Sequence, residues 1–182
     1  MQKLRVLTFI IALLLCQGGT FVIDPTKNAI WHNEKGMSFL DLKYYGAAIR
    51  EFQIAILLNP ESEASSAFYN NLGMTYYKID DYNSAEKNFQ RAFELKPFYL
   101  EYYKNFINTY KKRNLLGILT VKNTNALITD EKDIQALLML GLIHQDLGNI
   151  ELAAGYLRKF VRLAPNLSVS KQLKPAIKEL EK

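Results

Sequence analysis

The sequence predicts an all-α fold, a stack of four helical hairpins closed by one further helix. Three observations predict it. A glycine, an alanine, a large apolar residue and a proline recur at fixed offsets: Gly36, Ala48, Phe52 and Pro60; Gly73, Ala85, Phe89 and Pro97; Gly141, Ala153, Leu157 and Pro165. The distance from Gly73 to Gly141 is 68 residues, twice 34, so a degenerate copy lies between them. Within each copy, two runs of apolar residues at helical spacing flank a break of turn formers such as Asp80-Asp81 or Gly148-Asn149. A single helical hairpin cannot bury such a face, whereas stacked hairpins can.

The elements follow in chain order. Lys3 and Arg5 are the only charges before Asp24, and Val6 to Leu15 is a ten-residue apolar stretch with Thr8 as its one polar member. A basic start, an apolar stretch and the small polar residues after it predict an export signal over residues 1–18. Two alternatives stand beside cleavage. The uncharged stretch Val6 to Ile23 is 18 residues, long enough for a retained membrane anchor. Cys16, at the end of Leu13-Leu14-Leu15-Cys16, is a lipidation candidate, although Leu15 stands where such signals normally carry a small residue. All three readings put the domain outside the cytoplasm, with membrane association through the N-terminus in two of them. Residues 19–28 read as a linker.

Residues 29–62 form the first unit and 66–99 the second. Gly36 and Gly73 are 37 residues apart, which fits 34 plus a three-residue insertion in the polar stretch Glu61 to Ser66. In the second unit Ala85, Phe89 and Ala92 share a face, as do Ala48, Phe52 and Ala55 in the first. Gly73 and Ala85 let two backbones approach, so that Phe89 fills the gap beside them. The closing prolines cannot continue a helix. Residues 100–133 are the degenerate unit: Ile107 replaces the glycine, Leu119 the alanine, Asn123 the aromatic residue and Glu131 the proline. Altered packing is expected there. Residues 134–167 restore the pattern. In residues 168–182, Val169, Leu173, Ile177 and Leu180 form one stripe, as a terminal capping helix requires, and Pro175 predicts a helix start or a kink.

This 34-residue, two-helix pattern resembles the tetratricopeptide repeat. The resemblance covers Lys27 to about Leu167. It implies a right-handed α-solenoid whose first helices line a concave groove for an extended or helical peptide. Carried over residue by residue, the groove would contain Asn33, Met37 and Leu40, then Asn70, Asn71, Met74, Tyr77 and Lys78. The third unit would add Lys104, Asn105, Asn108, Lys111 and Lys112, and the fourth Leu138, Leu142 and Gln145. Asn and Lys supply donors for carbonyls and carboxylates, and Met adapts to apolar side chains. Relatives that grip a chaperone's C-terminal carboxylate use a Lys and an Asn where this chain has Lys104 and Asn108. They add an Asn where it has Met139, so the clamp is incomplete and chaperone binding is not expected. Exported bacterial relatives assist envelope assembly, among them pilotin-like lipoproteins and adaptors for cell-wall enzymes.

Charge and chemistry narrow the function. The formal charge is +5, yet Lys104, Lys111, Lys112, Arg113 and Lys122 alone supply +5 with no acid between residues 102 and 129. The basic character therefore belongs to one unit and favours an acidic peptide. It is too local for nucleic acid, which needs a broad basic face. The expected partner is a protein or peptide, a second copy of the chain included. His32 and His144 lie in separate units, and His144 reads as a packing histidine. The sequence lacks the HExxH, GxSxG and phosphate-loop motifs. Neither catalysis nor a cofactor is expected. Asn166-Leu167-Ser168 is a glycosylation sequon, meaningful only in a eukaryotic secretory pathway.

Overall fold

The computed structural model describes residues 24–180. The export signal, half of the expected linker and Cys16 lie outside the described residues. Nine helices follow one another: α1 (Pro25–Asp41), α2 (Tyr45–Leu58), α3 (Ser65–Lys78), α4 (Tyr82–Leu95), α5 (Leu100–Lys112), α6 (Leu116–Thr129), α7 (Ile134–Asp146), α8 (Ile150–Leu163) and α9 (Ser168–Leu180). No strand occurs among the described residues. Each helix packs on the next, and α1, α3, α5 and α7 also touch in sequence, so the molecule is a single row of hairpins.

The helix limits have local causes. Asp24 caps α1, accepting from the backbone N–H of Thr26 and Lys27, and Pro25 occupies the first helical position. The helix therefore starts inside the segment 19–28 that reads as a linker. The sequence pattern missed this start because the apolar periodicity begins later than the cap. Asp81 caps α4 and Asp133 caps α7 in the same way. Pro60, Pro97 and Pro165 each follow directly on a C-cap, after α2, α4 and α8. All three are exposed, so they end helices and contribute nothing to the core. Helix α9 begins at Ser168 and continues through Pro175, which excludes a start at the proline.

The turns inside the hairpins share a feature. Lys43, Asp80, Asn114 and Gly148 all have positive φ, between 56° and 75°. They lie 37, 34 and 34 residues apart, the spacing of the repeats, and the degenerate unit keeps its member. Gly148 adopts this conformation without strain, and Asn and Asp tolerate it better than Lys.

The core confirms the interlock of glycine with a large side chain. A Cβ at Gly36 would lie 2.6 Å from the Phe52 ring, one at Gly73 2.8 Å from Phe89, and one at Gly141 2.5 Å from Leu157. Ala48, Ala55, Ala85, Ala92 and Ala153 are fully buried alongside. In the third unit Ile107 is itself buried, and α5 touches α6 only sparingly. Leu119 is the sole buried residue that α6 contributes.

Candidate functional site

The sequence-predicted groove residues all lie on α1, α3, α5 and α7. A rule of register governs how these helices meet. The side-chain amide of Asn71 donates to Asn33 Oδ1 at 2.9 Å, and that of Asn105 donates to Asn70 Oδ1 at 2.9 Å. Each bond joins a residue to the equivalent neighbour on the preceding first helix. The next rung would pair residue 139 with Lys104. Residue 139 is Met, which cannot serve, and no ion pair or hydrogen bond to Lys104 forms among the described residues. The ladder thus ends where the lysine begins, leaving an exposed ammonium over the groove.

This corrects part of the sequence expectation. Asn70 is buried and bridges two helices, accepting from Asn105 and directing its own amide at Met74 Sδ, 3.7 Å away. It is no open donor for a ligand. Asn33 and Asn71 likewise hold each other. Leu138 is fully buried and offers no groove surface. Met37 stays 45% exposed but stands at the far N-terminal end of the row.

Most of the rest line two adjoining depressions, whereas Leu40, Lys111 and Lys112 line neither. Met74, Tyr77, Lys78, Asn105 and Asn108, with Phe89 at the floor, enclose about 170 Å³ between α3 and α5. Lys104, Ile107, Asn108, Leu142, Gln145 and Asp146 enclose about 250 Å³ between α5 and α7. Asn108 lines both, so the two lie side by side along the row. The Tyr77 ring is held edge-on against Tyr82, 5.6 Å between centres.

The electrostatics are more balanced than the charge count implies. Lys111 Nζ pairs with Asp146 at 2.8 Å across the row, and Arg113 pairs with Glu86 at 2.7 Å. Glu86 also accepts from the Tyr110 hydroxyl at 2.6 Å. Burial, with Glu86 second, pushes the Tyr110 phenol up to about 12. Lys78, Lys104 and Lys112 remain exposed and outside any ion pair among the described residues. Lys112 lines neither depression. Asp146 and Ile107 were missed as lining residues. Asp146 was findable: it lies 35 residues after Lys111, the interval that also joins Asn70 to Asn105.

The two histidines pack as structural groups. His32 Nδ1 meets Glu51 at 2.7 Å, and Lys35 meets the same carboxylate at 2.8 Å. Burial raises Glu51, but the hydrogen bonds from Lys35 and His32 outweigh it and hold the carboxyl below its ordinary value. His144 stacks on Tyr156 with ring centres 5.6 Å apart, and burial lowers its pKa.

A third cleft, about 270 Å³, opens between α4, α6 and α7. Its floor is Phe93, Phe106, Leu119 and Met139, and Asn123 stands at its wall. It lies beside the position that a large apolar residue, Phe52, Phe89 or Leu157, fills in the other hairpins.

Comparison with known proteins identifies the hairpins. Family models described as tetratricopeptide repeat match residues 66–99 and 134–167. Among solved structures, a tetratricopeptide repeat protein from Parabacteroides merdae is 16% identical with a TM-score of 0.51, covering 85% of this chain and 60% of its own. The repeat protein YrrB is 15% identical with a TM-score of 0.50, covering 90% and 89%. MamA is 21% identical over 77% and 80%, with a TM-score of 0.49. No curated protein sequence matches the chain. At these identities the likeness concerns the fold alone. Residues 66–99 and 134–167 are tetratricopeptide repeats, and the chain is an α-solenoid of such helical hairpins.

Proposed function

We propose that this chain is an extracytoplasmic scaffold that holds a protein or peptide in the groove over α3, α5 and α7, with no chemistry of its own. Tetratricopeptide folds commonly bind proteins or peptides, and YrrB is described as having a peptide-binding site. The observation that carries the reading is the unsatisfied end of the asparagine ladder. Lys104 and Asn108 stand open above apolar Ile107 and Leu142, with Lys78 one depression away. Such a groove suits an extended segment with an acidic group followed by an apolar side chain.

The test is affinity capture from the native envelope with the wild-type chain and with Lys78→Glu/Lys104→Glu. The variant should lose the captured partner while its helical circular dichroism is unchanged. Persistence of every partner would sink the groove reading. Robust turnover of any substrate by the purified domain would sink the non-catalytic one.

A second reading, a membrane-tethered assembly factor of the cell envelope, draws on one observation. Ile30 and Trp31 are 41% and 52% exposed, seven and eight residues beyond the uncharged stretch that ends at Ile23. Intact mass of the native protein separates the two. A start at Gly19 or Thr20 means a free product, whereas retained residues 1–23 or a lipid on Cys16 mean a tethered one.

A further inference from the structure

Trp31 breaks the register that the other hairpins keep. The equivalent positions are Phe68, Tyr102 and Ala136, which are 2%, 5% and 2% exposed because each packs on the preceding hairpin. Among the described residues no hairpin precedes Trp31, and its indole is half open. The opposite end of the row is different: α9 starts 34 residues after α7 and covers the last hairpin with buried Val169, Leu173 and Ile177. Among the described residues, the N-terminal edge is therefore the uncovered end of the row.

Its composition does not suit another hairpin. Where inner units bury Leu72, Phe106 and Leu140, the edge carries Lys35, and where they bury Thr75, Thr109 and Ile143 it carries Ser38. Lys27, Trp31 and Lys35 stand one turn apart on a single stripe of α1. The Lys35 ammonium lies 5.1 Å from the Trp31 ring centre and pairs with Glu51. An indole between two ammonium groups, with Ile30 beside it, is the chemistry of a membrane–water interface.

The chain enters at this point. Val6 to Ile23 carries no charge, and only Asp24 separates it from α1. At 1.5 Å per residue, Trp31 sits roughly 10 Å from the start of the helix, comparable with the depth of a headgroup layer. We infer that the Trp31 edge of α1 rests on the phospholipid surface in which the N-terminal segment is held, with Lys27 and Lys35 toward lipid phosphates. The solenoid would then stand on its N-terminal end, with the depressions between α3, α5 and α7 carried above the bilayer. This rests on the tethered form of the reading above.

Trp31 is the only tryptophan, so its fluorescence reports this edge without labelling. The full chain is reconstituted in phosphatidylcholine–phosphatidylglycerol vesicles and challenged with aqueous acrylamide and with a lipid spin-labelled near its headgroup. The expected result is strong quenching by the labelled lipid and weak quenching by acrylamide. Lys27→Glu/Lys35→Glu should shift that balance toward acrylamide with helicity unchanged. Quenching by acrylamide alone would mean that the edge stands in water and overturns the proposal. Protection from both quenchers overturns it too, in favour of a second copy or the chain's own N-terminal segment over Trp31. A native mass beginning at Thr20 would instead defeat the tether itself, leaving the vesicle measurement to speak for the edge.

Discussion

The hairpins α3/α4 and α5/α6 have nearly equal lengths and a left-handed residue at the same place in the turn, Asp80 and Asn114, yet they hold together by different means. In α3/α4, Gly73 admits the Phe89 ring to within the reach of a Cβ, and the two helices lie closely along each other. In α5/α6, Ile107 fills the space from the other side, Asn123 replaces the ring, and the two helices touch sparingly. Helix α5 compensates by packing on α4: Phe93 stacks on Tyr103 at 5.0 Å and meets Phe106 edge-on at 5.3 Å. The third unit is thus held by its neighbours more than by its own partner helix. Losing the interlock moves the stabilising contacts from within a repeat to between repeats. A cleft lies beside Asn123 where the other hairpins place a large apolar side chain.

The largest test of this contrast truncates the two equivalent side chains. Phe89→Ala should cost about 3–5 kcal/mol, the usual loss for a buried aromatic residue. Asn123→Ala should stay within about 0.5 kcal/mol, because Asn123 is half-buried and bonds only to the Leu119 carbonyl of its own helix. Urea unfolding monitored by circular dichroism measures both. Equal losses would mean that α5/α6 is interlocked after all.

The position of the glycine sharpens the same point. Ile107→Ala removes a buried side chain and should cost about 2–5 kcal/mol. Gly73→Ala, the opposite change at the equivalent place, puts a Cβ 2.8 Å from two Phe89 ring atoms and should cost about 1–3 kcal/mol. One residue type is therefore wrong in both hairpins, for opposite reasons.

The two hairpins agree in their turns. Asn114 in the third unit has φ of 56° and Asp80 in the second 62°. Asn114→Ala should cost about 1–2 kcal/mol, as for any side chain forced into the left-handed region, and Asn114→Gly should be close to neutral. A measured loss near zero for the alanine would show that the loose hairpin relaxes its turn. These turns also mark a limit of the sequence. The stacked hairpins were legible because glycine, alanine, aromatic residue and proline are chemically distinctive at fixed offsets. The four turn residues Lys43, Asp80, Asn114 and Gly148 share a conformation but no residue type, so Asp80 and Gly148 were legible as turn formers while Lys43 and the common period were not. The groove was half legible for a similar reason. A sequence shows that Asn70 and Lys111 are polar, but the neighbours that engage them, Asn105 and Asp146, come from the next first helix. Only the 35-residue offset between adjacent helices reveals those pairs.

The smallest effect concerns the link between the two hairpins. Tyr110 of α5 donates to Glu86 of α4, which also pairs with Arg113. Tyr110→Phe keeps the buried ring and removes this hydrogen bond. At neutral pH it should cost about 1 kcal/mol, since Glu86 keeps Arg113 and some solvent. The alkaline arm is the sharper signature. The folded phenol titrates near 12 against an ordinary value of 10.0. The folded state therefore prefers the protonated form, and that preference is fully present below pH 10 and lost as pH rises toward 12. Wild-type stability should fall across that window, and the Tyr110→Phe profile should fall less steeply. Parallel profiles would mean that Tyr110 does not couple the repeats. A shallower decline for the variant would place the junction between α4 and α5, rather than the third hairpin itself, as what carries the unit that lost its interlock.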